Sequence, residues 1–157
     1  MDCYILPCEY MGFDTTSIAS SDTFAALQTG VVEGLAGSTP AGAYLNYRDI
    51  IDYYYAYQMS PEVTQIMISE KTLAKLSPED QKTIVDICRQ ECANSVNYAK
   101  EEDEKYLKLM EDNGIKIVRF TDEEIEMFAE AVRTNVWPQL AKTYGEDFIN
   151  ELLKLYK

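Results

Sequence analysis

The 157-residue sequence contains no histidine, few cations and no long apolar run. Without histidine the chain lacks the side chain that proteins use most often for proton transfer near neutral pH. No apolar segment approaches the roughly 20 residues that a membrane-spanning helix requires. Lysine and arginine total 14 against 27 acidic residues, which gives a formal net charge of -13. This charge disfavours nucleic acid and anionic membrane surfaces, so we predict no nucleic-acid partner.

Familiar catalytic and cofactor motifs are also missing. The sequence has no Gly-x-Ser-x-Gly nucleophile elbow and no Gly-x-Gly-x-x-Gly dinucleotide fingerprint. Residues Gly34 to Thr39 are glycine-rich but lack the lysine and the spacing of a phosphate-binding loop. We therefore predict no enzyme activity and no cofactor. The length and the 46% hydrophobic content allow one ordinary domain with a core.

Four cysteines are present, and their spacing does not indicate a metal site or a disulfide within one helix. Cys88 and Cys92 lie one helical turn apart, which is a poor geometry for a disulfide. Together with Cys3 and Cys8 they do not reproduce the spacing of a zinc ribbon or finger. We predict buried free thiols, since cysteine packs as a small hydrophobe, and no metal.

The first half of the chain shows short elements separated by glycine. A helix is predicted from Asp2 to Met11, although Pro7 weakens it, and serines 20 and 21 with Asp22 are good caps for a helix that ends at Gly30. β-Branched residues predict short strands at 15–18 and 31–32. After a loop at 34–37, Ser38 or Thr39 caps a further helix that carries Pro40 in its first turn.

The second half combines short strands with longer helices. Alternating or aromatic residues predict strands at 53–57, 64–69 and 116–120, with a turn at Ser60-Pro61 between the first two. A capping box at Thr121 opens a helix that Pro138 should kink or end. A last amphipathic helix is predicted from Glu146 to Tyr156.

One helix is predicted to be much longer than the rest. Ser77-Pro78-Glu79-Asp80 is a strong helix start, and apolar residues recur at helical spacing until Gly114 stops the pattern after Asn113. A helix of more than thirty residues far exceeds the usual length of about 11–12. It either spans two lobes of a protein or packs against a partner.

Polar residues at the start of the third helix are candidates for ligand contact. Ser38 and Thr39 lie at a helix N-terminus, where free N–H groups and the helix dipole favour an anion. The alternative is that both hydroxyls merely cap their own helix. Tyr44, one turn further, faces either the ligand or the core. The tyrosines of the segment 53–57 form either a sugar-stacking platform or ordinary strand packing.

Several segments resemble the solute-binding proteins of tripartite ATP-independent periplasmic (TRAP) transporters, the DctP-type family. Ala-Leu-Gln-Thr-Gly-Val-Val-Glu-Gly at 26–34 is similar to the family signature Ala-Leu-Gln-x-Gly-x-Val-Asp-Gly, with Glu33 in place of the aspartate. Tyr-Arg-Asp-Ile at 47–50 and Leu-Ser-Pro-Glu-Asp-Gln at 76–81 resemble two further family segments. The resemblance covers nearly the whole chain, as the C-terminal half of a family member.

The resemblance implies a fold and a function. The fold would be α/β, namely the helix-dominated C-terminal portion of a two-lobed periplasmic-binding-protein-like fold, with residues 1–157 as one partial domain and the long helix spanning the lobes. The function would be to bind a small organic acid by hinge closure and deliver it to a TRAP membrane permease. The location would be periplasmic or extracytoplasmic, although no signal peptide is visible in this sequence.

The candidate ligand-binding residues are Ser20, Gly37, Ser38, Thr39 and Tyr44. The resemblance points to Ser20 and to Gly37 with the two residues after it, and Tyr44 lies one helical turn further on. Ser20 occupies a position that is often aromatic in the family, and Gly37 one that is often asparagine. The family arginine that holds a substrate carboxylate belongs to a strand upstream of this sequence and matches no residue here. An alternative therefore stays open, in which the chain is a ligand-incompetent fragment that self-associates by domain swapping. We expect a homodimer.

Overall fold

A computed structural model describes residues 2–58, 63 and 65–156. Within these residues it contains eight helices and two short strands. In chain order they are α1 (Asp2–Tyr10), α2 (Ser20–Gln28), α3 (Pro40–Tyr47), β1 (Tyr53–Ala56), α4 (Glu70–Leu73), α5 (Pro78–Asp112), β2 (Lys116–Arg119), α6 (Asp122–Asn135), α7 (Trp137–Tyr144) and α8 (Glu146–Leu155). The architecture is thus helix-dominated α/β, as the sequence predicts.

The long helix α5 is confirmed, and its ends have local causes. At its start, the Ser77 hydroxyl oxygen accepts a hydrogen bond from the Asp80 N–H at 3.1 Å, and Pro78 occupies the first turn. At its end, Gly114 adopts a φ of 89°, a left-handed conformation that glycine enters at little cost. The Ile115 N–H then bonds the Met110 carbonyl and directs the chain into β2.

Helix α5 connects two parallel strands. Tyr53 to Ala56 of β1 pair in register with Lys116 to Arg119 of β2. One face of this sheet carries Tyr54 and Ile117 and packs against α3 and α5. Because neighbouring residues alternate between faces, Tyr53 and Tyr55 lie on the other face, where both rings are exposed. Parallel sheets are normally covered on both faces. Among the described residues, this sheet is covered on one face only.

Two separate clusters of buried side chains form the core. The first cluster joins α3, α5 and the start of β2 through Ala43, Leu107, Met110 and Ile115. The second cluster joins α7 to α8 through Val136, Leu140 and Ile149, with Leu6 of α1 packed against it. The first depends on contacts between distant parts of the sequence, whereas the second is largely a helical hairpin.

The chain exposes far more surface than a compact protein of its size. Its accessible surface is 12009 Å² for a mass of 17.9 kDa. A compact monomer of that mass exposes about 8,000 Å². The excess includes the exposed side chains of Ile87, Val96 and Tyr98 on α5 and of Ile66 and Met67 before α4. The described residues therefore form an open arrangement with large apolar areas in contact with water.

Three predicted strands are wrong or incomplete. Residues 15–18 have no strand pairing, and the N–H groups of Val31 and Val32 both bond the Ala26 carbonyl, which extends the last turn of α2. Residues 65–69 are irregular. Residue 64 and the predicted turn at Ser60-Pro61 lie outside the described residues. β-Branched composition favours extended backbone, but a strand also needs a neighbour to accept its ladder, and these segments have none among the described residues.

The helix boundaries near the C-terminus agree with the sequence. Thr121 and Glu124 exchange both hydrogen bonds of the predicted capping box. Helix α6 ends at Asn135, and Pro138 lies in the first turn of α7, so proline separates the two helices as expected. The predicted last helix is confirmed as α8, and Gly145 precedes it with a φ of 95°.

The cysteine prediction is correct only in part. All four thiols are free, but Cys3 and Cys92 are exposed, Cys88 is half-buried and only Cys8 is buried. The helical stripe that contains Cys88 and Cys92 is real, but among the described residues no side chain of α5 before Leu107 is buried. Within the same residues, no cluster of three metal-ligating side chains occurs, and no helix is both long and apolar enough to cross a membrane.

Candidate ligand-binding site

The candidate site is the loop Gly37–Ser38–Thr39, which leads into α3. Thr39 is the N-cap residue, and its side-chain oxygen accepts a hydrogen bond from the Gly42 N–H at 3.1 Å. Its backbone carbonyl also accepts from the Ala43 N–H. Thr39 thus performs the capping role that the sequence left as the alternative to ligand contact, and its hydroxyl is engaged within the helix.

Gly37 holds the loop in a conformation that other residues rarely adopt. Its φ is 87°, and a Cβ atom placed there would lie 3.1 Å from the Tyr4 ring. A larger residue would therefore meet both backbone strain and the aromatic ring of α1. The family-typical asparagine side chain has no room at this point unless Tyr4 moves.

Ser38 differs from Thr39 in how its polar groups are used. Its hydroxyl makes only a long 3.4 Å hydrogen bond to the Thr39 carbonyl. Its own carbonyl accepts a hydrogen bond of 3.1 Å from the Tyr54 hydroxyl. The backbone of Ser38 is thus fixed to the sheet, while its half-buried hydroxyl keeps the weakest partner in the loop. Of the two predicted hydroxyls, Ser38 is the better placed to exchange that partner for a ligand.

The N-terminus of α3 offers few free donors to an anion. Pro40 has no N–H, the Gly42 N–H bonds the Thr39 side chain, and the Ala43 N–H bonds the Thr39 carbonyl. Ala41 supplies the remaining backbone N–H of this first turn. The helix dipole still favours negative charge here, but one amide and one hydroxyl make a modest anion site without a cation.

Tyr44 lies at the edge of the first core cluster. It is half-buried against the first cluster, and its ring centroid is 5.8 Å from that of Tyr106 on α5. The Arg48 guanidinium stands 5.3 Å from the centroid of the same ring. The ring is thus packed between an aromatic neighbour and a cation, which matches the core alternative. Any ligand contact would use the ring edge or the hydroxyl.

Ser20 stands apart from the loop. It is the first residue of α2 and is exposed. Among the described residues, no hydrogen bond joins it to Gly37, Ser38 or Thr39. The structure therefore brings three of the five predicted residues together in one loop, places Tyr44 one turn away, and leaves Ser20 on a separate helix.

Sequence reasoning missed three residues that shape the loop, namely Tyr4, Gly42 and Tyr54. Gly42 lies inside α3, and a Cβ atom there would lie 2.9 Å from the Ser38 hydroxyl oxygen. A glycine inside a helix costs about 1 kcal/mol relative to alanine, which is a signal that the sequence does contain. Tyr4 and Tyr54 carry no such signal, because their contacts span 33 and 16 positions.

A separate surface cavity lies at the opposite end of α3. Its volume is about 450 Å³, and its lining includes Arg48, Asp49, Asp52 and Asn113. Arg48 is already engaged there by the Tyr44 ring and by Asp49, whose carboxylate is 3.8 Å away. Asn113 donates its side-chain amide to the Arg48 carbonyl at 3.2 Å. Arg48 and Asn113 already have partners, so the cavity is a weaker candidate than the loop.

The architecture as a whole defines the class of protein. It superposes on a crystal structure of a TRAP periplasmic solute-binding protein from Escherichia fergusonii in its apo open form, with a TM-score of 0.73 at 22% sequence identity. The match covers 94% of this chain but 48% of that one, so the chain spans about half the length of the matched structure. The chain therefore has part of a periplasmic-binding-protein-like fold.

The family follows from the sequence match. Residues 4–143 match the bacterial extracellular solute-binding protein family 7, DctP. Because the match covers most of the chain, the chain belongs to this family, as the segments at 26–34 and 76–81 indicated. A comparison with curated proteins gave no significant match.

Proposed function

We propose that this chain forms part of the extracytoplasmic solute-binding subunit of a TRAP transporter. The subunit binds a small organic acid, closes around it by a hinge motion and delivers it to the membrane permease. The family match over residues 4–143 carries this proposal, because it covers the candidate loop and the whole of α5. The match to a TRAP periplasmic solute-binding protein supports it at the level of the fold.

In this proposal, the described loop forms one wall of the ligand site. Ser38 and the Ala41 amide offer hydrogen-bond donors, with Gly37 and Thr39 as the backbone support and Tyr44 at the margin. Ser20 reaches the ligand only after α2 is brought against the loop. Carboxylate selectivity comes from the family arginine, which lies on a strand outside this sequence. The second wall belongs to the part of the fold that lies outside the region of the matched structure covered by this sequence.

The exposed surfaces of the chain support a ligand site that is completed by another part of the fold. One face of the parallel sheet and much of α5 are exposed, and the surface exceeds that of a compact monomer by about 4,000 Å². A parallel sheet buried on both faces is the usual solution, and the other half of the fold would supply the cover.

The experiment is thermal unfolding of the purified chain against a panel of small organic acids and sugars. A ligand that binds only the folded state raises the melting temperature by mass action. The Ser38→Ala variant should lose the ligand-induced shift. Ser95→Ala is the matched control, since its exposed hydroxyl on α5 bonds only the Cys92 carbonyl. A shift that survives in Ser38→Ala, or no shift with any compound, would count against the loop as a self-sufficient site.

A second candidate function is self-association without ligand binding. The same exposed apolar areas support it, because contiguous apolar surface marks association sites. A homodimer that covers the open sheet face and α5 by domain swapping would have a mass of twice 17.9 kDa. A net charge of -13 on each copy opposes such pairing, most strongly at low salt. Mass measured in solution at low and high salt, alongside the thermal panel, separates the two functions.

A further inference from the structure

Tyr54 connects the candidate loop to the first core cluster. It lies on β1, on the sheet face that packs against α3 and α5, and its ring contacts the cluster of Ala43, Leu107 and Met110. From this position, its hydroxyl donates a 3.1 Å hydrogen bond to the Ser38 carbonyl, 16 residues earlier in the sequence. It is thus a direct polar link from the sheet to the loop.

The neighbouring tyrosines cannot replace this contact. Tyr53 and Tyr55 project from the opposite face of the sheet and stack on each other with centroids 6.3 Å apart. The Tyr53 hydroxyl accepts from the Lys116 ammonium instead. Because successive residues of a strand alternate between faces, only position 54 of this run can reach the loop.

The environment of Tyr54 keeps its hydroxyl protonated. Burial, followed by the negative charge of Asp103 and by Tyr57, raises the pKa of Tyr54 to about 12. A phenol with such a pKa remains a hydrogen-bond donor at every physiological pH. The contact to Ser38 therefore does not depend on the conditions in which a solute-binding protein works.

A second contact restrains the loop from another side. The Tyr4 ring of α1 lies against Gly37, at 3.1 Å from the position that a Cβ atom would take. Tyr54 and Tyr4 thus hold adjacent residues, one through a hydrogen bond and the other through packing. What remains unrestrained is the Ser38 hydroxyl, whose 3.4 Å bond is long.

We propose that Tyr54 is a positioning residue of the ligand site, whose hydrogen bond to the Ser38 carbonyl presets the loop Gly37–Thr39 for ligand contact. This inference rests on the proposed function, since it takes that loop as one wall of the site. A preset loop reduces the ordering cost of binding, so losing the bond should weaken a ligand without removing any atom that touches it.

The first test needs no ligand. Tyr54→Phe removes the hydroxyl and keeps the ring, and Tyr53→Phe makes the same chemical change on the opposite face. In Tyr54→Phe, the carbonyl ¹³C resonance of Ser38 should shift, and hydrogen exchange of the Gly42 amide should rise about 3- to 10-fold, the effect of one net hydrogen bond. The rise should exceed that of the Met110 amide in the core. Tyr53→Phe should leave the Ser38 resonance in place.

Two results would overturn the contact. One is an unmoved Ser38 carbonyl resonance in Tyr54→Phe. The other is equal acceleration of exchange at Gly42 and Met110, which indicates a general loss of stability and no specific hold on the loop. If Tyr54→Phe does not fold, the deuterium isotope shift of the Tyr54 Cζ resonance in the unaltered protein reports whether its hydroxyl is hydrogen-bonded and slow to exchange.

The second test uses the compound from the panel that raises the melting temperature of the unaltered chain. Tyr54→Phe should weaken its binding about 3- to 10-fold, and Tyr53→Phe should not. Unchanged affinity together with a shifted Ser38 resonance would overturn the positioning role. If no compound binds the unaltered chain, the loop is not a self-sufficient site, and the loop measurements still decide whether Tyr54 holds Ser38.

Discussion

The two parts of helix α5 form one continuous helix yet differ completely in packing. The packed segment, residues 107–112, contains Leu107 and Met110, which are 5% and 0% exposed. The open segment, residues 78–105, contains no buried residue, and Val96 within it is 62% exposed. Both segments carry apolar residues at helical spacing, so periodicity alone does not distinguish them. The difference is whether another element of the described chain lies against them.

The open segment is held together by local interactions. Ser77 caps its start, and Lys82 and Asp86 form an ion pair one turn apart. Such pairs contribute about 0.2–0.5 kcal/mol each, whereas most of the stability of a protein helix comes from tertiary packing of its apolar face. Its apolar stripe adds stability only where another surface covers it. Within the described residues, α5 thus carries an apolar stripe of which only the last turns are buried.

The largest predicted effect tests the packed segment directly. Met110→Ala should lower the free energy of unfolding by about 2–5 kcal/mol, because it opens a cavity in the first cluster. Val96→Ala in the open segment should change it by no more than about 0.5 kcal/mol. Urea denaturation measures both. Equal losses would contradict the comparison and would indicate that the open segment is covered in solution.

Thiol labelling tests the same contrast without substitution. Cys92 on the open segment is exposed, whereas Cys8 is buried and its burial raises the pKa of its thiol. Cys92 should therefore react with a thiol reagent more than about tenfold faster than Cys8. Mass spectrometry of labelled peptides gives the two rates. Slow labelling of Cys92 that becomes faster on dilution would show that a second copy protects the open segment.

Packing of Tyr54 against the packed segment predicts that the folded state loses stability at alkaline pH. Tyr54 packs against this segment, and burial raises the pKa of its phenol from the usual 10.0 to about 12. Folding therefore favours the protonated phenol, and its contribution, fully present below pH 10, is lost as pH rises towards 12. The slope from one proton cannot exceed about 1.4 kcal/mol per pH unit. Solvent screening of the half-buried ring keeps it below that limit.

Urea midpoints between pH 9 and pH 11 measure this slope. Tyr54→Phe should show a flatter decline than the unaltered protein, and Tyr53→Phe on the exposed sheet face should follow the unaltered protein. A decline that is the same in all three proteins would mean that Tyr54 is not preferentially protonated in the folded state.

The smallest predicted change in stability is at Gly42. This residue lies in α3, which contacts α5. Gly42→Ala gains about 1 kcal/mol of helix propensity but brings a methyl group against the Ser38 hydroxyl. Since that hydroxyl can rotate, stability should change by less than about 1 kcal/mol. The Ser38 side-chain rotamer should change instead, which NMR couplings would detect. A larger loss in thermal unfolding would mean that the hydroxyl is fixed in place.

Local signals in the sequence predicted most helices and their ends. Ser77 and Thr121 act through neighbours within a few residues, so the starts of α5 and α6 could be predicted. The strands were less predictable, because 31–32 has the right composition but its N–H groups bond to Ala26 instead. For the candidate site, Thr39 as a cap was an open alternative, whereas the contacts of Tyr54 and Tyr4 were not predictable.

The helix pattern, the acidic charge and the family could be obtained without coordinates, because caps, periodicity and motif segments are all local. The tertiary structure was needed to tell which turns of α5 are buried, which tyrosine of β1 packs against the first core cluster, and which hydroxyl of the candidate loop keeps a weak partner. Each of these depends on residues that are distant in sequence but adjacent in space. No local pattern records such contacts, since the same apolar spacing serves a covered and an uncovered helix face equally well.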